Sequence, residues 1–393
     1  MTDVVTLAVL NNPRLKADRL RLGIAHAQLL QAGLLPEPEV QAGFSHPTAG
    51  PPPLVNGYSA GLMEDLSAII TRHDRRAQAR ARGDKVRLDI LWDEWQVAYK
   101  AQQLYIRIRA QAREMRVLGA WRHVCEKTYR SDLVALKHGE LTTAQLAVDQ
   151  ARQEQASAHW WSLKRRQYKT WLALDALLGL QPGVEPKLAG KAKLPSWSAA
   201  DFHKALMHMP ERRPDLQALQ AGYRSQEARV RQAILQQFPA LSLGISRGQD
   251  TQNVQTIGFA IHLTLPLFGQ AHARIAIARA TRAYLHKSYQ DRLDEAVNQV
   301  HELHGTSALL RAQLRKERAR WASLRTMDRS NRQSFDDGMM DTADYLDTHA
   351  HAVAVHMKVI TLEAQLRRAQ SDLALLLGQA PCPNSTLPSG PTG

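Results

Sequence analysis

The chain contains an internal duplication. A shift of 201 positions aligns residues 13–45 with residues 214–246 without a gap. Further along, a shift of 199 places the Leu177-Leu178-Gly179 ending on Leu376-Leu377-Gly378. Two copies of one supersecondary unit predict a single architecture built from two halves. The identities in the first window are Pro13, Leu15, Ala17, Ala27, Gln31, Ala32, Leu34, Pro38, Gly43 and Ser45 with Pro214, Leu216, Ala218, Ala228, Gln232, Ala233, Leu235, Pro239, Gly244 and Ser246.

The duplication divides the 393 residues into four predicted segments. These are a first repeat at 1–182, a linking segment at 183–200, a second repeat at 201–380 and a flexible tail at 381–393. No run approaches the ~18 apolar residues of a transmembrane helix, so that class is excluded. A membrane β-barrel is not excluded, because its alternating strands barely register in hydropathy.

Each repeat opens with a helix that stops at a proline and passes into a pattern of period two. In the second repeat a helix from Pro214 to about Gln236 precedes alternating apolar residues at 241–245 and 257–267, separated by a polar turn at 248–253. This pattern predicts a β-hairpin with one apolar face. The first repeat has a helix at 13–33 and a weaker hairpin, in which Glu64 breaks the apolar face.

A very long helical region follows each hairpin. No proline occurs between Leu54 and Gln181 or between Leu267 and Ala380, and each region is interrupted by one glycine in a turn-like setting, Gly139 or Gly338. The helix from about 273 to 335 would reach roughly 95 Å. A helix of this length needs lateral partners, so we expect a helical sheath. Four strands with open edges need partners from other subunits to close a barrel.

The net charge of +14 and the two cysteines leave the class of protein open. The basic residues are scattered over both repeats, which favours solvated helix faces over a nucleic-acid site. Cys125 and Cys382 have no metal-ligand spacing. Residues 1–10 hold an acid and no basic segment, so no signal peptide is visible in them; taken alone, this predicts a cytoplasmic protein.

No catalytic motif, phosphate loop or dinucleotide fingerprint is present, so an enzyme and a cofactor are not predicted. His301 and His304 could share a metal on one helix face, but no third or fourth ligand is apparent. For His349, His351 and His356 a surface or packing role is predicted, and no metal site is assigned.

The chain resembles the outer membrane efflux proteins of the TolC family over nearly its whole length. The resemblance is carried by Asn-Asn-Pro-Arg-Leu at 11–15, Gln-Ala-Gly-Leu-Leu-Pro-Glu-Pro-Glu-Val at 31–40, Arg-Arg-Pro-Asp-Leu-Gln-Ala at 212–218, Phe-Pro-Ala-Leu-Ser-Leu at 238–243, Leu-Thr-Leu-Pro-Leu-Phe-Gly at 263–269, the glycine-aspartate pattern at 338–347 and the Leu-Leu-Gly endings. The Leu-Pro-Glu-Pro segment at 35–38 leans towards the heavy-metal efflux branch.

The resemblance implies a mainly α fold with β-hairpins, in which three chains form an α-barrel and a 12-stranded β-barrel, four strands per chain. It further implies a homotrimeric exit duct in the outer membrane of a Gram-negative bacterium. Such a duct spans into the periplasm and works with a periplasmic adaptor protein and an inner-membrane pump or type I secretion system. Its cargo would be small molecules or metal ions. Family precursors carry a signal peptide, which is absent from this sequence.

The family also points to particular residues. Gly139 and Gly338 would be the turns at the periplasmic tip, and Asp344 and Asp347 would line the aperture as a ring of negative charge from three chains. Alternatively, Asp341 and Asp344 only favour the start of a helix through its dipole. The competing function is a soluble helical interaction protein that binds an anionic partner, which the charge and the missing signal peptide favour. The duplicated hairpins favour the duct.

Overall fold

One helix in each repeat begins at a proline, Pro13 in the first and Pro214 in the second. The computed structural model describes residues 1–51, 53–188, 190, 197–266 and 269–381. In the first repeat α1 spans Thr2–Asn11, α2 Pro13–Gly33, β1 Glu39–Ser45, β2 Gly57–Asp65, α3 Leu66–Lys137 and α4 Thr143–Leu178. Helix α2 starts on Pro13, whose fixed φ and missing N–H suit the first helical position. Helix α1, a short separate helix, was not predicted.

The second repeat has the same order of elements, with two short helices where the first repeat has α1. Helices α5 and α6 span Ala199–Met207 and Met209–Arg212; they are followed by α7 at Pro214–Leu235, β3 at Ala240–Gln249, β4 at Gln255–Thr264, α8 at Gln270–Asp336 and α9 at Thr342–Leu376. The described residues exclude parts of two predicted segments. These are residues 382–393 of the tail predicted at 381–393, and residues 189 and 191–196 of the linking segment. The division at 182, 200 and 380 stays a prediction. None of the described helices combines the length and apolarity needed to cross a bilayer.

The four strands form one antiparallel sheet in the order β1-β2-β3-β4. The register places Val40 opposite Leu62, Leu62 opposite Ile245, and Ile245 opposite Phe259. Apolar side chains therefore form rows across all four strands on one face. Glu64 belongs to that face and lies opposite Leu243. It is the penultimate residue of β2, so it interrupts the apolar rows only at their end.

The second hairpin differs from its prediction at two places. Strand β3 continues to Gln249, which pairs with Gln255, so the turn is shorter than the predicted 248–253. The turn is held by the Asp250 carboxylate, which accepts the backbone N–H groups of Gln252 and Val254 at 2.8 and 2.9 Å. Strand β4 ends at Thr264, not at Leu267, which lies outside the described residues. Pro266 has no N–H with which to extend the pairing.

The chain divides into two compact units, each built from both repeats. The unit of residues 17–91 and 214–294 contains the sheet. Its helical core joins Val230 and Ala233 of α7 to Ile275 and Ala278 of α8, where two alanines let the helix backbones approach. In the other unit, of residues 1–16, 92–213 and 295 onward, Val5 and Ala8 of α1 pack with residues of α3 and α4.

The last turn of each repeat contacts residues near the start of the same repeat. Gly179 follows α4 with a φ of +65°, and a Cβ there would lie 2.7 Å from the Asn11 carbonyl oxygen. The Asn12 side-chain amide donates to the Leu177 carbonyl at 3.0 Å. In the second repeat Gly378 has a φ of +72°, and a Cβ there would lie 2.7 Å from the Cβ of Arg212. Both Leu-Leu-Gly endings therefore need glycine for conformation and for space.

We expect Gly378→Ala to destabilise the protein by about 2–4 kcal/mol, because it adds a steric clash to a left-handed backbone. The matched control is Gly338→Ala, since Gly338 has a φ of +73° but open space around its Cβ position. That control isolates the backbone cost, about 1–2 kcal/mol. Thermal unfolding of the purified variants measures the difference. Equal midpoints for the two variants would contradict the close approach at Arg212.

Candidate functional site

Both glycines predicted as tip turns lie between two long helices. Gly139 joins α3 to α4 and Gly338 joins α8 to α9, each with a φ of +73°. The Gly139 N–H donates to the Leu136 carbonyl at 3.1 Å, and the Gly338 N–H donates to the Phe335 carbonyl at 3.0 Å. The same left-handed glycine cap thus ends both outgoing helices. Nothing lies within 4 Å of a Cβ at either position.

The return helices begin with different caps. In the first repeat Thr142 and Gln145 form a reciprocal capping box, so the Gln145 side chain is engaged by the backbone of Thr142. In the second repeat the Asp341 carboxylate accepts the Ala343 N–H at 3.2 Å and caps α9. Asp344, which corresponds to Gln145, lies in the first turn of α9 and has an exposed side chain. Its charge is favourable at a helix start, as the alternative interpretation holds.

Asp347 lies one turn further along α9 and is held by a cation from the other repeat. The Arg152 guanidinium of α4 donates to Asp347 Oδ1 at 2.8 Å. The Asp347 side chain keeps 73% of its exposure, whereas Arg152 keeps 18%. Arg152 also pairs with Asp149, three residues earlier on α4. The structure thus places Asp344 and Asp347 on the exposed side of α9. Arg152 offsets part of the charge of Asp347, because it is shared between Asp347 and Asp149.

The carboxyl groups of Asp132 and Asp149 lie close to each other and to Arg152. The pKa of Asp132 on α3 is raised to about 6 by burial and by the neighbouring Asp149, while Arg152 opposes the shift. Asp132 Oδ2 is buried without a hydrogen-bond donor. Two ionised carboxylates cannot donate to each other, so a proton on Asp132 is what lets the pair share a hydrogen bond.

The titration of Asp132 predicts a pH-dependent stability. A folded-state pKa near 6, above the ordinary 3.8, means that the proton stabilises the fold below about pH 4 and that this contribution is lost as the pH rises through 6. Asp132→Asn supplies a permanent amide donor. Because solvent screens this half-buried group, we expect its thermal midpoint to exceed that of the unmodified protein by only about 2 °C at pH 8.

At pH 5 the two midpoints should lie closer together, because the native carboxyl is then largely protonated. The control is Asp336→Asn, which removes an exposed carboxylate that pairs with Arg332 at 3.9 Å near the corresponding end of α8. It should show no such pH dependence. A gain that is the same at pH 5 and pH 8 would contradict the assigned titration.

An aromatic cluster supports the start of α9 from the inside. Tyr345 stacks on Phe335 with ring centroids 4.7 Å apart and on His349 at 5.6 Å. Tyr345, Leu346 and Cys125 belong to one buried core cluster. Burial raises the pKa of the Cys125 thiol to about 11, so this cysteine stays protonated at neutral pH. Cys382 lies outside the described residues.

The histidines that suggested a metal are engaged by aromatic rings. Phe202 stacks on His304 with centroids 4.0 Å apart and meets His301 edge-on at 6.0 Å. His356 stacks on Trp321 at 4.4 Å. Within the described residues, no three histidine, cysteine or carboxylate side chains are grouped as a metal would require.

Sequence reasoning missed Arg152 and Asp132. The only available signal was the i,i+3 pairing of Asp149 with Arg152 on one helix face. The sequence does not indicate that this face of α4 packs against α9, because Arg152 and Asp347 are 195 residues apart.

One family model matches part of the chain, and solved structures match its fold. Residues 207–379 match the family described as outer membrane efflux protein. No curated protein matches the chain. The family match covers most of the second repeat and confirms the resemblance drawn from the motifs.

Solved structures of outer membrane channels resemble the whole chain. The transmembrane channel CusC matches with a TM-score of 0.78 at 18% identity, over 96% of this chain and 92% of that one. CmeC of Campylobacter jejuni matches with 0.79 at 17%, over 96% and 85%. MtrE of Neisseria gonorrhoeae, in its open state, matches with 0.79 at 17%, over 96% and 88%. The predicted TolC-like fold is confirmed, and these three similar proteins are described as channels.

Proposed function

We propose that the protein is a passive exit duct in the outer membrane of a Gram-negative bacterium. Two comparisons support this proposal: the second repeat matches the outer membrane efflux proteins, and 96% of the chain matches the fold of solved channels. The observation that carries the proposal is the exposed apolar face of the four-stranded sheet. Phe259, Ile261 and Val40 expose 84%, 69% and 76% of their surfaces. Apolar side chains at such exposure need lipid or a partner to cover them.

The duct is a homotrimer. Strands β1 and β4 are the outer strands of the sheet, and each presents a row of backbone groups that the described part of the chain does not pair. Three copies joined edge to edge give a closed barrel of twelve strands, which removes the open edges. Helices α3, α4, α8 and α9 form the periplasmic conduit, and their ends at Gly139 and Gly338 form its tip. There the duct meets a periplasmic adaptor protein and, through it, an inner-membrane pump.

The aperture is lined by Asp344 and Asp347 from the three chains. Both side chains are exposed on α9, one turn apart, and follow directly after the Gly338 turn. Six carboxylates around one axis attract cations and restrict the passage of anions. The cargo is a small molecule or a metal ion.

The competing function, a soluble helical protein that binds an anionic partner, predicts a different assembly. Expressed behind a bacterial signal sequence, a duct should purify from outer membranes as a detergent-solubilised trimer, measured by size exclusion with light scattering. A monodisperse monomer that needs no detergent would overturn the duct and favour the competing function. We favour the duct because a soluble helical protein has no use for an exposed apolar sheet face.

A further inference from the structure

A cavity of about 600 Å³ lies among α3, α8 and α9, within the unit of residues 1–16, 92–213 and 295 onward. Its volume falls within the range of small-molecule sites. Trp121 of α3 and Trp321 of α8 line it, together with His349 and His356 of α9. Two indoles and two imidazoles around one space make walls suited to a flat aromatic ring.

The charged groups of the cavity leave an excess of positive charge. Arg113, Arg116 and Arg325 line it with a single carboxylate, Asp328. Asp328 is engaged by His349 Nδ1 at 2.6 Å, and Arg113 by Glu363 at 2.6 Å. Among the described residues neither Arg116 nor Arg325 pairs with a carboxylate.

One of the two unpaired guanidinium groups, that of Arg325, is positioned beside an aromatic wall. The Arg325 guanidinium carbon lies 5.4 Å from the centroid of the Trp321 ring, whose neighbour His356 stacks at 4.4 Å. Burial lowers the pKa of His356, and the positive charges of Arg113 and Arg325 lower it further, against an opposing effect of Glu363. At neutral pH the imidazole is thus an uncharged aromatic surface beside two cations. A guanidinium is planar and weakly hydrated, which suits it to bind carboxylate or sulfonate next to an aromatic ring.

We propose that this cavity is a binding site for an aromatic organic anion, whose ring lies against Trp321 and His356 and whose acid group is bound by Arg116 and Arg325. The site is a property of the single chain and does not depend on the proposed duct. A cationic ligand of the same size is disfavoured, because it meets net positive charge.

The test uses the purified full-length protein and naphthalene-2-sulfonate in equilibrium dialysis, with the detergent solution alone as the blank. We expect saturable binding of about one molecule per chain in the micromolar to submillimolar range. The cation 2-naphthylmethylammonium should bind much more weakly. Arg116→Gln combined with Arg325→Gln should weaken binding of the sulfonate about tenfold, and Trp321→Leu should weaken it by a similar factor.

The matched control is Arg122→Gln combined with Arg329→Gln. These arginines lie on the same two helices, α3 and α8, but outside the cavity, and Arg122 lies over Trp160, 4.4 Å from the ring centroid. The control removes the same charge and should change the affinity less than twofold. Equal losses in the two double variants, equal binding of the cation, or no saturable binding in the unmodified protein would each overturn the proposal. The last result is also expected if a second copy of the chain fills the cavity.

Discussion

Arginine in place of Ile261 should remove the protein from the outer membrane, whereas arginine in place of Ala260 should be tolerated better. Ile261 is 69% exposed and pairs across the sheet with Leu243. It therefore lies in the apolar rows that we assign to lipid. An arginine on the lipid face near the bilayer midplane costs about 2–4 kcal/mol in each chain, and a trimer carries the cost three times.

Ala260 is the matched control because it is the next residue on the same strand and points to the other face. It pairs with Gly244, among small and polar side chains such as Ser242 and Ser246. We assign this face to the aqueous lumen, where arginine stays hydrated. The amount of heat-modifiable trimer in isolated outer membranes measures both variants. Equal loss of trimer at the two positions would show that β4 is not a barrel strand.

Replacing Asp344 and Asp347 together with asparagine should lower the cation selectivity of the reconstituted duct several-fold. The expectation rests on the proposed aperture, in which three chains bring six carboxylates to one axis. The variants are compared by the reversal potential in planar bilayers under a salt gradient, and by block with a multivalent cation. Both readouts should decrease, because the fixed negative charge that concentrates cations has been removed.

The ion pair with Arg152 supplies a test of opposite sign. Arg152 donates to Asp347 at 2.8 Å and offsets part of its charge. Arg152→Gln should therefore raise cation selectivity in the same measurement. The control is Arg130→Gln, which removes a cation whose partner, Glu126, lies on the same helix four residues away. An assembled trimer in which neither the asparagine pair nor Arg152→Gln alters selectivity would assign Asp344 to helix initiation and Asp347 to its ion pair.

The long helices and the hairpins could be predicted because their signals are local. Alternation at 241–245 and 257–267 identified the strands, and the glycines at 139 and 338 marked the ends of helices whose composition is uniform. Local rules failed where a few hydrogen bonds decide an end. The carboxylate of Asp250 shortens the turn of the second hairpin, and no alternation pattern encodes that contact.

The charged contacts of the candidate site could not be predicted. Arg152 belongs to the first repeat and Asp347 to the second, and the motif that identified Asp347 contains no cation. The pKa of Asp132 depends on burial and on Asp149 of another helix, which are properties of packing. Helices α5 and α6 were missed, as was α1, their counterpart in the first repeat, because the duplicated residues that define each repeat begin only at Pro13 and Pro214.

The contact of each repeat's last turn with its first has a consequence for the history of the chain. A gene segment whose product begins and ends at the same place can be copied head to tail without rearranging either copy. The joining segment then has only to span from Gly179 to the start of the second copy near Arg212. In the proposed trimer, an ancestor of half the length would supply six identical subunits where the present chain supplies three. The asymmetries of the present chain, such as Asp344 at the position equivalent to Gln145, are differences that identical subunits cannot have and that two fused copies can.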